Sequence, residues 1–337
     1  MATSSIVSPE DQSATFAELF FDLVFVFSVT QVVGLLHHDF NWAGVGQAVL
    51  VFWLVWWAWT QFTWTLNAAD TTHHGVGLLT LVATAVVFFM AVALPDAFHG
   101  RALWFAVPYV LVRLLGLGLQ LWAAREGSLA HTAARVWSLA SLGGLVAVLV
   151  GAVLGGSLLY WFWGLAILLD LFAALVGGQR EGWNLHPEHF AERHGLFVIL
   201  ALGETLIAAG TVMSESTWTG KLIAVAILAV AFTCGLWWTY FPQGHPALED
   251  AMRATGGAEQ SALARDAFSL LHFPMVCGVI AYAVAVEEAV AHPGEPLSLA
   301  ARLALAVGLL LFIGGMGAAT WRATGRLLWP RLVLALA

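Results

Sequence analysis

An all-α, polytopic transmembrane bundle is the fold class this sequence predicts, and three observations predict it. Of its 337 residues 60% are hydrophobic and only 10% charged, with 17 Trp, 21 Phe and a mean hydropathy of +0.84, more apolar side chain than a soluble core can hide. The apolar residues gather into runs of about 20, the length at which a helix crosses hydrocarbon. Short polar loops part the runs, and nothing in them matches the ~10-residue alternation of an outer-membrane barrel.

Taken in order, ten runs meet the length requirement, at 17–36, 43–66, 75–95, 102–123, 134–154, 157–177, 194–214, 220–241, 264–290 and 299–321. The cut between the fifth and sixth rests on Gly155, Gly156 and Ser157. Residues 1–15 are expected to form a short cytoplasmic tail, 16–322 a single transmembrane domain and 323–337 an interfacial C-terminal segment. The opening residues lack the basic stretch and cleavage site of a secretory signal peptide, so insertion is expected to use the first helix itself. Basic residues set the orientation: with both termini on one side, that side holds Arg125, Arg135, Arg180, Arg193, Arg253, Arg265, Arg322, Arg326 and Arg331, against Arg101, Lys221 and Arg302 opposite. This imbalance predicts a bacterial cytoplasmic-membrane protein with both termini in the cytoplasm.

Two stretches of the chain resemble each other. FAELFFDLVFVFSVT at 16–30 matches FAERHGLFVILALGE at 190–204 at an offset of 174, which lays Val24 on Val198 and Thr30 on Glu204. LVWWAW at 54–59 and GLWWTY at 235–240 follow at an offset of 181. The order suggests a duplicated four-helix unit, helices 1–4 and 7–10, and such repeats place sites between related helices.

A net charge of −8 with no basic run leaves no footprint for nucleic acid. Cys234 and Cys277 lie within apolar runs and read as packing residues. There is no nucleophile elbow, P-loop or dinucleotide fingerprint. The chemistry therefore rests on polar residues at membrane depth, which are costly there and mark function or pairing. In the first span Glu18 and Asp22 sit one helical turn apart on one face, so both are cheaply ionised only beside a cation. Arg113 in the fourth span, Asp170 in the sixth, Glu204 in the seventh and His272 in the ninth are the other deep polar groups. Arg113 is expected to snorkel or to form an interhelical salt bridge, Asp170 and His272 are candidates for one cavity, and Asp22 and Glu204, both too deep to reach bulk water, are expected to converge on one water-accessible cavity between helices 1 and 7.

The stretch NLHPEHFAERHGLFVILALGE, 184–204, leads into the seventh span. His186, His189 and Glu192, spaced by three, are ligand types for zinc or iron. The spacing is not that of H-E-x-x-H, and Pro187 is a good first helical residue, so the same stretch also reads as an amphipathic helix entry. Arg193 is placed to pair with a carboxylate.

ELFFDLVFVFSVTQ at 18–31, the Trp-rich second span ending in NAADTT at 67–72, and HFAERHGLFVILALGET at 189–205 together resemble the bacterial low temperature requirement protein A family (LtrA). The resemblance implies a multi-pass membrane protein without a settled biochemical activity, in a family named for a growth phenotype. It carries over to Glu18, Phe21, Asp22, Thr30 and Gln31 from the first motif and to Glu192, Arg193, Leu196, Gly203 and Glu204 from the third. The second motif departs from the family pattern: an acidic residue and then an arginine are expected after Asp70-Thr71, where this chain has Thr72 followed by HHGVG.

Two functional classes fit these residues. One is a transporter or channel for a small solute or ion, linked to protons through buried carboxylates and requiring no cofactor. The other is an intramembrane enzyme on a lipid-like substrate, using the carboxylates and histidines as acid and base or around a metal. Buried acids with one or two cations favour the first. A structural or stress-tolerance protein without turnover is the plainest reading, and the lipid bilayer is the partner in all three.

Overall fold

The computed structural model describes residues 6–9, 12–38, 41–124, 128–178 and 182–326. Among the described residues ten helical spans are long and apolar enough to cross a membrane. The first six are α1 (Phe16–His38), α2 (Trp42–Ala68), α3 (His74–Ala93), α4 (Ala102–Ala123), α5 (Leu129–Leu154) and α6 (Gly156–Gly178). The seventh is α7 (Pro187–Ser214). The eighth runs from α8 (Gly220–Thr239) through a π-helical segment, Tyr240–Gly244, into α9 (His245–Ala254). The ninth runs from α10 (Gly257–Leu263) through a second π segment, Ala264–Leu270, into α11 (His272–Ala291). The tenth is α12 (Leu299–Thr324).

Local chemistry sets the ends. Asn41, Ser128, Thr219 and Ser298 cap α2, α5, α8 and α12 through side-chain acceptors. Only one residue separates α5 from α6: Gly155 takes φ +64 and Gly156 φ +53, backbone that favours glycine. Where α11 crosses α12, a Cβ on Gly278 would lie 2.5 Å from the Gly308 carbonyl oxygen, so small residues let the two backbones touch. Outward faces carry large apolar side chains such as Trp104, Trp161 and Phe172, as lipid contact requires.

Three boundaries differ from the sequence expectation, each for a physical reason. α7 begins at Pro187 rather than 194, because its polar first turns are buried against α1 instead of lying in a loop. Arg193 therefore belongs to the bundle, and the basic-residue imbalance falls to eight against three. The eighth and ninth helices extend past 241 and before 264 into a hairpin around Thr255, since the amphipathic HPALEDAMRA continues the helix without being apolar. Arg125, Arg180, Arg331 and residues 327–337 of the expected interfacial segment lie outside the described residues.

α1 packs on α2 and α3, and α3 on α4; in the same order α7 packs on α8 and α11, and α11 on α12. α1 and α7 also pack directly on each other. Contacts run in rising order along both, from Ala14 with Glu192 to Thr30 with Glu204, so the two helices are parallel.

Candidate functional site

Parallel helices that start level bring residues of equal depth together. Asp22 lies six residues into α1 and Arg193 six into α7, each about 9 Å along its helix. They meet: Arg193 donates from Nε to Asp22 Oδ2 at 3.0 Å, from Nη2 to Asp22 Oδ1 at 2.5 Å and from Nη1 to Glu18 Oε1 at 2.5 Å. All three side chains are at most 1% exposed. One turn of α1 thus presents two carboxylates to a single guanidinium, whose planar fork suits that geometry.

Neighbours complete the group. Trp59 of α2 donates its indole N–H to Asp22 Oδ1 at 2.7 Å. Thr15 donates to Glu18 Oε2 from its backbone and its hydroxyl, a cap at the start of α1. Asn67 accepts the His186 backbone N–H with Oδ1, so its Nδ2 faces His189 Nδ1 at 2.9 Å. That ring nitrogen must accept, which puts the His189 proton on Nε2, 3.0 Å from Glu18 Oε1. A segment from the N-terminal tail lies across the helix starts: Ala14 donates to Glu192 at 3.0 Å, Ser8 meets His186 Nε2 at 2.6 Å and Gln12 donates to the Leu66 carbonyl.

The geometry does not bring the three expected metal ligands together. His186 meets Ser8, His189 meets Glu18 and Asn67, and Glu192 accepts from the Ala14 amide, so the three side chains take separate partners. Among the described residues no group of three or more His, Cys, Asp or Glu is placed to hold a metal ion.

A second acidic place lies further along the same interface. Thr30 donates to Glu204 Oε1 at 2.6 Å, and both line a small void with Thr205 and Glu287 of α11. Asp22 and Thr30 are eight residues apart, about 12 Å of helix, so Asp22 and Glu204 occupy separate places rather than one. Gln31 is half-buried beside Thr30 and joins neither group.

Arg113 and Asp170 pair at 3.1 Å between α4 and α6, both buried. Arg113 Nη1 donates to the Tyr109 hydroxyl at 2.7 Å and Nε to Gln61 of α2, whose amide returns a bond to the Arg113 carbonyl. His272 is elsewhere: its Nδ1–H donates to the Ala267 carbonyl and its Nε2 accepts from Tyr240, tying the two π segments together. Asp170 and His272 thus bond to different partners. An apolar recess of about 520 Å³ between α1, α2, α11 and α12 is lined by residues such as Val32, Phe52 and Ile280, and among the described residues no carboxylate or histidine lines it.

Sequence reasoning missed Trp59, Gln61, Asn67, Tyr109 and Glu287 as partners. A signal existed for two of them: the second span ends TQFTWTLNA, and polar residues that deep in a membrane helix point inward.

The sequence matches the family described as bacterial low temperature requirement A protein (LtrA) over residues 13–337. It is 32% identical over 316 residues to an uncharacterized protein of Rhizobium meliloti, covering 91% of this chain and 76% of that one. No solved structure matches. An ordered match across nearly the whole chain, on ten apolar spans, places this integral membrane protein in the bacterial low temperature requirement A family.

Proposed function

We propose that this protein is a proton-linked transporter of a small solute or ion that works along the α1–α7 interface of a bacterial cytoplasmic membrane, with both termini in the cytoplasm. The observation that carries the reading is the charge count at Arg193, where one guanidinium serves two buried carboxylates. Such a group holds one negative charge in excess, and in hydrocarbon that excess attracts a proton or a small cation. Thr30, Glu204 and Glu287 supply a second acidic station nearer the opposite face. The buried residues between the stations include Phe25 and Val26 on α1 and Phe197 and Val198 on α7. That apolar layer suits a carrier that opens one station at a time better than a continuously wet channel.

Proteoliposomes on a solid-supported membrane, given a pH jump, test the reading. Charge displacement is expected from the wild type and is lost in Asp22→Asn, which keeps the side chain's size and removes its titratable group. A wild-type signal from Asp22→Asn overturns the proposal, and stoichiometric zinc or iron in the purified protein would favour an intramembrane enzyme instead. The orientation rests on the eight-to-three imbalance. Accessibility of single cysteines placed in each loop, after removal of Cys234 and Cys277, tests it, and a periplasmic C-terminus would overturn it.

A further inference from the structure

One groove on the outside of the bundle ends on a pair of opposite charges. It runs between α3 and α4 with a volume of about 870 Å³, and its walls include Phe89 and Val92 on α3 and Trp104, Val107 and Leu111 on α4. Arg101, the residue before α4, lines it at the end where the two helices are joined. Arg101 Nη1 meets Asp96 Oδ2 at 3.2 Å, and the two side chains are 59% and 49% exposed, so both stay open to a polar ligand. The backbone between them fixes the pair. A 3-10 turn, Leu94–Asp96, follows α3, and Gly100 turns the chain at φ +101, backbone that favours glycine. The Arg101 amide then donates to the Asp96 carbonyl at 3.1 Å.

Depth and charge together say what fits. Arg101 and Leu111 lie about 15 Å apart along α4, half of the roughly 30 Å hydrocarbon core. The groove therefore has the depth of one leaflet, with its charges at the level of that leaflet's headgroups. Trp104, exposed beside Arg101 in sequence and in the groove wall, sits where interfacial aromatic rings gather. The recess between α1, α2, α11 and α12 is also apolar, but among the described residues no charged side chain lines it, so nothing there selects a headgroup.

We propose that this groove holds one phospholipid with an ethanolamine headgroup. Nη1 of Arg101 is on Asp96, which leaves Nε and Nη2 to donate to the phosphate. The first turn of α4 has no side-chain cap, and its amides add to the attraction for an anion. Asp96 keeps its second carboxylate oxygen for the primary ammonium, which this headgroup carries next to its phosphate. An acyl chain then lies along Phe89, Val107 and Leu111. Other headgroups match the pair less well. A glycerol headgroup brings a net negative charge and no cation for Asp96, and a choline headgroup brings a cation with no N–H to donate. The proposal does not depend on the transport reading; in the orientation given there, the leaflet is the periplasmic one.

The test uses the full-length protein, delipidated in detergent and titrated with dioleoyl phosphatidylethanolamine, phosphatidylglycerol or phosphatidylcholine, with native mass spectrometry as the readout. One ethanolamine lipid is expected to bind roughly tenfold tighter than either of the others, the effect of one hydrogen bond to a charge. Asp96→Asn should remove the preference over the glycerol lipid, and Arg101→Gln should weaken all three. Val107→Trp, which fills the groove and leaves both charges in place, should weaken all three as well. The three side chains face outward, so Tm without added lipid should stay near that of the wild type. Equal binding of the three lipids by the wild type, as ordinary annular lipid gives, overturns the proposal whether or not the variants fold. So does an unchanged preference in Asp96→Asn, or an unchanged affinity in Arg101→Gln or Val107→Trp.

Discussion

Arg193 and Arg113 are both fully buried arginines in one bundle, each bonded to acids on a neighbouring helix, but their charge is balanced differently. Arg113 has one carboxylate, Asp170, and its remaining N–H groups go to the neutral acceptors Tyr109 and Gln61. Arg193 has two, Glu18 and Asp22, with Trp59 and His189 as further donors to the same oxygens. A balanced pair is complete as a clasp between helices. An unbalanced triad needs something more to be neutral, and the proposed proton-linked transport rests on that need.

The largest expected effect breaks the triad. Arg193→Leu leaves two buried carboxylates without a cation, and removing one partner of a buried ion pair costs about 3–5 kcal/mol. Folded protein should fall to near nothing in membranes. Adding Glu18→Gln and Asp22→Asn to Arg193→Leu should restore folding, read by fluorescence-detected size exclusion, while charge displacement stays absent. Recovery of transport in the triple variant would show that the triad is only a clasp.

The Arg113 pair should behave in the opposite way. Arg113→Met or Asp170→Leu alone should cost about 3–5 kcal/mol, but the two together should be near neutral, because well-packed apolar residues often replace a buried pair without loss. Thermal melts of the three variants give the coupling as a double-mutant cycle. The double variant should keep the pH-jump signal, and its loss would move Arg113 into the transport path.

Trp59→Phe probes the triad more gently. It removes one donor to a charged oxygen, worth about 1.5–3 kcal/mol, and keeps most of the ring packing against Phe197 and His194. The expected result is a lower Tm with a retained but altered pH dependence of charge displacement. An unchanged profile would mean that Trp59 does not tune Asp22.

Much of this was legible from residues, and the failures have causes. Length and composition place ten spans, but hydropathy sees only what faces lipid, so the buried polar start of α7 and the amphipathic hairpin after Tyr240 escaped it. Asp22 and Glu204 were expected to converge because both are deep acids. Depth has to be compared helix against helix, and the offset of 174 already supplied the comparison: it lays Arg193 on Leu19, between Glu18 and Asp22, and Glu204 on Thr30. Both contacts follow that register. Partners on other helices, such as Asn67 or Glu287, obey no such offset and needed coordinates.

The same offset yields the smallest and most discriminating prediction. Glu18 and Glu192 are the related acids of the two FAE openings, and only their surroundings differ. Glu18 is 1% exposed and holds Arg193. Glu192 is half-buried and holds the Ala14 amide of the overlying tail segment. Glutamine keeps an acceptor oxygen in either place, so Glu192→Gln changes a partly solvated bond between peptide and carboxylate by less than about 1 kcal/mol. Glu18→Gln removes one of the two charges facing Arg193, which turns an unbalanced triad into a balanced pair. Stability should therefore change little in Glu192→Gln and stay equal or rise in Glu18→Gln, because the surviving Asp22–Arg193 pair is neutral by itself. Charge displacement should persist in the first variant and shrink in the second. If the two variants behaved alike, the register and not the charge balance would be what distinguishes these acids, and the contrast between Arg193 and Arg113 would lose its meaning.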